Sequence, residues 1–209
     1  MERVEALFPP PTICDAINFG THEEETIMKR FALLGAGLIL TGIGLAGMAR
    51  AAADELKPGD PAPDFALTAS NGKVYRLSDF RGKQVVVLAW FPKAFTPGCT
   101  LECKSFGAKE SPLKNLDAAY FTASVDPPET NRRFAASLGV DFPILGDPDK
   151  TAARAYGVVD DRQPVARRWT FYIGTDGRIL AIDKKVQCPS HAEDVARKLR
   201  ELGVKELKK

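Results

Sequence analysis

The sequence predicts an α/β fold, a mixed central sheet with helices on both faces. Three observations predict it. The run Val85-Val-Val-Leu-Ala-Trp-Phe91 is continuously apolar over a strand's length, as in a strand covered on both sides. Downstream of it, strand-like and helix-like stretches alternate, with boundaries marked by Asp-Pro and Gly. A chain of 209 residues that is 44% hydrophobic and 27% charged suffices for one well-filled core, with residues to spare at the front.

The folded part is expected to span 61–209, after a linker at 54–60. Phe65-Ala-Leu67-Thr, the pair Asn71-Gly72 and Val74-Tyr-Arg-Leu77 predict a hairpin closed by a tight two-residue turn. The apolar run 85–91 supplies the central strand, and a helix follows from about Cys99. Tyr120 to Val125 reads as a strand. The next helix is opened by Asp126-Pro127, with Asp126 as N-cap, and closed by Gly139, an arrangement repeated from Asp147-Pro148 to Gly157. Arg168 to Gly174 and Arg178 to Asp183 predict two strands around Asp176-Gly177. Ser190-His-Ala-Glu193 predicts a capping box for the last helix, with His191 facing solvent and without a catalytic role.

The front of the chain reads as a targeting segment. Phe31 to Met48 is a low-polarity run preceded by Lys29-Arg30 and followed by Ala49-Arg50-Ala51-Ala52-Ala53, a small-residue exit pattern. Residues 28–53 are therefore expected to be a signal peptide or membrane anchor, and the protein to be exported to a bacterial periplasm. Its apolar length reaches the lower limit of a span, so anchoring through 31–48 is the alternative to cleavage. Residues 1–27 carry six acids against Arg3 alone, the wrong sign for such a start, and are expected to be misassigned or removed, taking Cys14 and His22 with them.

A formal charge of +2, with lysines and arginines scattered among acids, provides no basic field, so nucleic acid is not an expected partner. Cys99, Cys103 and Cys188 are an odd number for a disulfide scaffold and point to chemistry instead. Cys99 lies just past the apolar strand where a helix begins. Free backbone N–H groups and the positive end of the helix dipole favour a thiolate there. Thr96, three residues earlier, is placed to aim its hydroxyl at that sulfur.

The spacing Pro92-x-x-x-Thr96-x-x-Cys99, with Glu102 three residues on, resembles the active-site signature of the peroxiredoxins, thiol peroxidases on a thioredoxin-like fold. The resemblance runs from about Asp60 to Leu202 and implies hydroperoxide substrates, a peroxidatic Cys99 oxidised to a sulfenic acid, and sulfur chemistry with no cofactor and no metal. Arg168-Trp-Thr170-Phe171 is similar to the strand whose arginine reaches the reactive sulfur. Register to Thr170 selects Arg168 over Arg167, and Glu102 is expected to hold the guanidinium.

The likeness is nearest to the Q-type, bacterioferritin-comigratory group, which implies Cys103 as resolving cysteine, a monomer or weak dimer, and a thioredoxin-like or other dithiol reductant. The spacing to Cys103 is four here, where the group has five. In an intact helix such a pair is too far apart for a disulfide, so the first turn must unwind. Cys188, in Val186-Gln-Cys188-Pro189, is the competing resolver and reads rather as a free thiol. Two other functions fit parts of the pattern. Cys99-x-x-x-Cys103 also resembles the pair of Sco-type copper chaperones, but no histidine precedes the strand that begins at Arg168. An exported thiol-disulfide oxidoreductase is the other, but it would carry Cys-x-x-Cys.

Overall fold

The computed structural model describes residues 55–207. The expectations for 1–27 and 28–53, including the apolar run 31–48, lie outside them. The order is β1 (Ala66–Ala69), β2 (Val74–Arg76), β3 (Val85–Trp90), α1 (Pro97–Gly107), β4 (Ala118–Ser124), α2 (Pro128–Leu138), β5 (Ile144–Gly146), α3 (Thr151–Ala155), β6 (Thr170–Ile173), β7 (Ile179–Asp183) and α4 (His191–Glu201). The seven strands form one sheet in the order β2-β1-β5-β4-β3-β6-β7. β3 runs parallel to β4 and antiparallel to β6.

The central strand behaves as its composition requires. Val86, Leu88 and Trp90 pack into the core on one face, with Tyr156 just after α3, while Val87, Ala89 and the following Phe91 enter the core on the other, against α1, α2 and α4. Each such large side chain removed from water contributes about 1.5–3 kcal/mol. β3 is therefore the fixed floor from which the following loop starts. Pro92 ends it, because the last ladder bond is Phe91 N–H to the Ala123 carbonyl (2.8 Å) and proline has no N–H to continue.

Several local expectations are corrected. The first hairpin closes through three residues: Ala69 N–H donates to the Lys73 carbonyl, and only Gly72 takes a positive φ (79°), while Asn71 does not. Asp126 does not cap α2, whose N-cap is Pro127. Its carboxylate instead accepts the Ala94 N–H at 2.8 Å across the chain. Ser190 makes no capping bond; its hydroxyl pairs with the Asp194 carboxylate at 2.8 Å. The stretch read as a linker is docked from Gly59, whose N–H donates to the Ile179 carbonyl at 2.8 Å. His191, expected in solvent, is 1% exposed.

Candidate active site

The loop from Pro92 to Thr96 leaves the sheet between β3 and α1 and is pinned at Ala94 by Asp126. Phe95 adopts φ 63°, a left-handed conformation unusual for an aromatic residue, with its ring 5.1 Å from Phe134. Thr96 is the N-cap of α1 by position, but its hydroxyl donates to the Lys93 carbonyl at 3.0 Å and makes no capping bond. That corrects the expectation that the hydroxyl is spent on the sulfur. Pro97 takes the first helical position, where a missing N–H is no loss. The N–H groups of Gly98 and Cys99 come before the first helical bond, from Thr100 N–H to the Thr96 carbonyl at 2.9 Å.

Cys99 is thus in the first turn of α1, and it is fully buried, not displayed on the turn. Its sulfur accepts a hydrogen bond from Arg168 Nη2 at 3.2 Å. The other guanidinium nitrogen, Nη1, donates to Glu102 Oε2. Arg168 sits just before β6, which is paired to β3 in the register Ala89 to Thr170, so the strand pairing carries the cation to the start of α1. Arg167, by contrast, points out to Asp160 at 2.5 Å. The Arg168 side chain keeps 20% of its exposure and Glu102 none, so the cation is the solvent-side member of the pair.

Glu102 is a buried carboxylate, and burying a charge is costly unless it is paired. Arg168 covers one oxygen. The other, Oε1, lies 2.8 Å from His191 Nδ1, close but out of line, and neither atom has another partner. His191 Nε2 meets the Thr170 hydroxyl at 2.9 Å. A carboxylate can only accept, which sets the ring proton on Nδ1 and makes Nε2 the acceptor for Thr170. Burial outweighs the acids Asp183 and Asp194 and, with help from the Arg168 charge, pushes the imidazole down to about 4, so it is neutral. The chain Cys99, Arg168, Glu102, His191, Thr170 therefore runs from the helix start into the core. Its inner half was missed by the sequence reading. The signal was present: residues 191, 192, 195, 196 and 199 form one helical stripe, all buried.

Cys103 shares the buried face of α1 with Cys99, but its thiol approaches the Thr122 hydroxyl at 3.8 Å, inside the core. Burial pushes that thiol up to about 12. Cys188 begins a short 3-10 turn, Cys188–Ser190, and is half-buried. This turn packs against α1, bringing Cys188 beside Gly98. A sulfur held by a guanidinium at a helix start is suited to nucleophilic attack on a neutral oxidant and to stabilising the anion that results.

Known proteins resemble this chain in sequence and fold. Residues 58–182 match the family model described as AhpC/TSA family. The chain belongs to that family. A putative peroxiredoxin of Mycobacterium tuberculosis H37Rv is 33% identical over 155 residues, covering 71% of this chain and 96% of its own. Peroxiredoxin Bcp of Escherichia coli K12 is 32% identical over 152 residues, 70% of this chain and 97% of that one. Among solved structures, peroxidoxin BcpB of M. tuberculosis superposes with a TM-score of 0.63 at 31% identity, covering 70% of this chain and 98% of its own. A mutant of Xylella fastidiosa PrxQ gives 0.64 at 29%, covering 71% and 98%. The chain is therefore a peroxiredoxin by family, and its sheet is the thioredoxin-fold sheet of that group, as the motif at Pro92 to Cys99 implied.

Proposed function

We propose that this peroxiredoxin is a thiol-dependent peroxidase that reduces hydrogen peroxide and organic hydroperoxides at Cys99. The observation that carries the reading is the hydrogen bond from Arg168 to the Cys99 sulfur at the first turn of α1. The sulfur attacks one peroxide oxygen and the O–O bond breaks. Cys99 becomes a sulfenic acid, and water or an alcohol leaves. The second guanidinium hydrogen bond, to Glu102, fixes the fork so that Nη2 faces the reacting atoms. The Cys99 N–H, free in the first turn, and the Thr96 hydroxyl oxygen, which can still accept a hydrogen bond while its proton goes to Lys93, are the further polar groups offered to the peroxide. Pro92 shapes the loop that carries them.

Cys103 serves as a resolving thiol only after α1 opens from its start, since its sulfur faces Thr122 in the folded helix. The resulting disulfide is returned to thiols by a thioredoxin-like or other external dithiol. Export to the periplasm, and anchoring if the apolar run is retained, follow from residues 28–53 and remain part of the same reading. The copper-chaperone alternative is not favoured: among the described residues the one imidazole, His191, is buried in the core and engaged with Thr170 at 2.9 Å. The test is to mix reduced protein with peroxide and a dithiol and to follow peroxide loss. Turnover that vanishes in Cys99→Ser supports the assignment, and turnover unchanged in that variant overturns it.

A further inference from the structure

Two thiols compete for an oxidised Cys99, and the structure separates them by what must move. Cys103 is 0% exposed and lies one helical turn from Cys99. Helical Cβ atoms at that spacing are ~5–6 Å apart, where a disulfide takes ~3.5–4.5 Å, so the helix itself must come apart. Cys188 is placed otherwise. The position a Cβ on Gly98 would occupy lies 3.5 Å from Cys188 Sγ and 3.4 Å from Arg168 Nη2. That same nitrogen is 3.2 Å from Cys99 Sγ. Cys188 Sγ and the guanidinium that holds Cys99 thus both border the space a side chain on Gly98 would fill, and glycine leaves that space open between them.

The segment that carries Cys188 lies outside the helices and strands. Residues 184–187 belong to no helix or strand, and the turn Cys188–Ser190 is only three residues long. Bringing Cys188 from Gly98 to its neighbour Cys99 asks for a displacement of that segment, while α1 keeps its hydrogen bonds. Resting on the peroxidase reading above, we infer that Cys188 is the thiol that captures the Cys99 sulfenic acid while α1 is folded.

The step balances. Cys188, as thiolate, attacks the Cys99 sulfur, the S–O bond breaks, and hydroxide departs with the proton Cys188 released, as water. Cys188 is oxidised and Cys99 reduced to the level of one disulfide. That bond lies at the rim, beside the partly exposed Arg168, where an external dithiol can supply two electrons; a Cys99–Cys103 bond forms inside the helix. Arg168 then serves both half-reactions, holding the sulfur for the peroxide and the oxidised sulfur for the second thiol.

The experiment takes the full chain, reduced, as wild type, Cys103→Ser and Cys188→Ser. Each receives one equivalent of hydrogen peroxide, with alkylation of free thiols and dimedone trapping of sulfenic acid at successive times, then peptide mapping. The inference predicts a Cys99–Cys188 link within monomers in wild type and in Cys103→Ser. In Cys188→Ser it predicts at least tenfold more dimedone adduct on Cys99 at early times. Cys99 oxidised while Cys188 is still alkylated in Cys103→Ser, or linked only in covalent dimers, overturns the inference and leaves the peroxidase reading standing. Peroxide untouched, with Cys99, Cys103 and Cys188 all free in wild type, overturns both.

Discussion

Arg168→Met removes the cation that touches the reactive sulfur while keeping a side chain of similar length, and its effects on rate and on stability come from different partners. At 3.2 Å a unit charge pair is worth about 5 kcal/mol at an effective dielectric of ~20, an upper limit because the contact is made before the reaction as well as during it. The part realised only as charge moves onto the peroxide oxygens is of the size found for single oxyanion donors, ~2.7–4 kcal/mol, or a 10²- to 10³-fold fall in kcat/KM. Stability falls for another reason. The fully buried Glu102 is left facing only the neutral His191, and stripping the partner from a buried ion costs ~3–5 kcal/mol. Adding Glu102→Gln removes the stranded charge, so the double variant should recover much of its resistance to urea and none of its rate. Stopped-flow peroxide consumption and urea unfolding, run on both variants, separate the two effects. Recovery of the rate along with the stability would refute the reasoning, because Arg168 would then act only as scaffolding.

Cys99→Ser should lose turnover altogether, to the background of free peroxide decay, in a ferrous-oxidation assay. His191 is neutral in the fold with its pKa lowered from 6.5 to about 4, so its contribution to stability is complete above pH 6.5 and is lost as the pH falls toward 4. The urea midpoint of the wild type should drop over that window relative to His191→Asn by the equivalent of at most about 3 kcal/mol, and parallel profiles would remove His191 from the account. Gly107→Ala would set a Cβ 2.3 Å from Val140 Cγ1, an overlap that should lower the unfolding free energy by about 1–3 kcal/mol in a denaturant titration. Asp126→Ala frees the Ala94 N–H from a charged acceptor and should cost about 1.5–3 kcal/mol, with a slower single-turnover oxidation of Cys99 as the loop loosens.

What was readable in the sequence is what short-range chemistry decides. The strand 85–91 could be read because both of its faces are apolar, and α1 because Thr96, Pro97 and a following glycine mark a helix start. The pair Arg168 and Cys99 could be read because Arg168-Trp-Thr170-Phe171 resembles the family's strand whose arginine reaches the sulfur, and Arg167 does turn out to Asp160. Asp126 shows where such reasoning stops. Its place before a proline resembles a cap, yet the Ala94 N–H, thirty-two residues away, lies at 2.8 Å and takes the carboxylate instead. His191 reads as exposed from its neighbours at a helix start, while its burial comes from the docking of α4 on α1, where its ring meets Phe106 edge-on at 5.0 Å. The nearness of Cys188 to Gly98 has no local signal at all, because it depends on how a three-residue turn packs against α1, a helix much earlier in the chain.

The central claim is that Cys99 is the group that takes oxygen from a peroxide. Reduced protein mixed with one equivalent of hydrogen peroxide in the presence of dimedone, followed by intact mass and peptide mapping, tests it most directly. The account predicts that one peroxide disappears per chain and that the first adduct falls on Cys99. Peroxide surviving at its starting concentration, or a first adduct on Cys103 or Cys188 with Cys99 untouched, would contradict it.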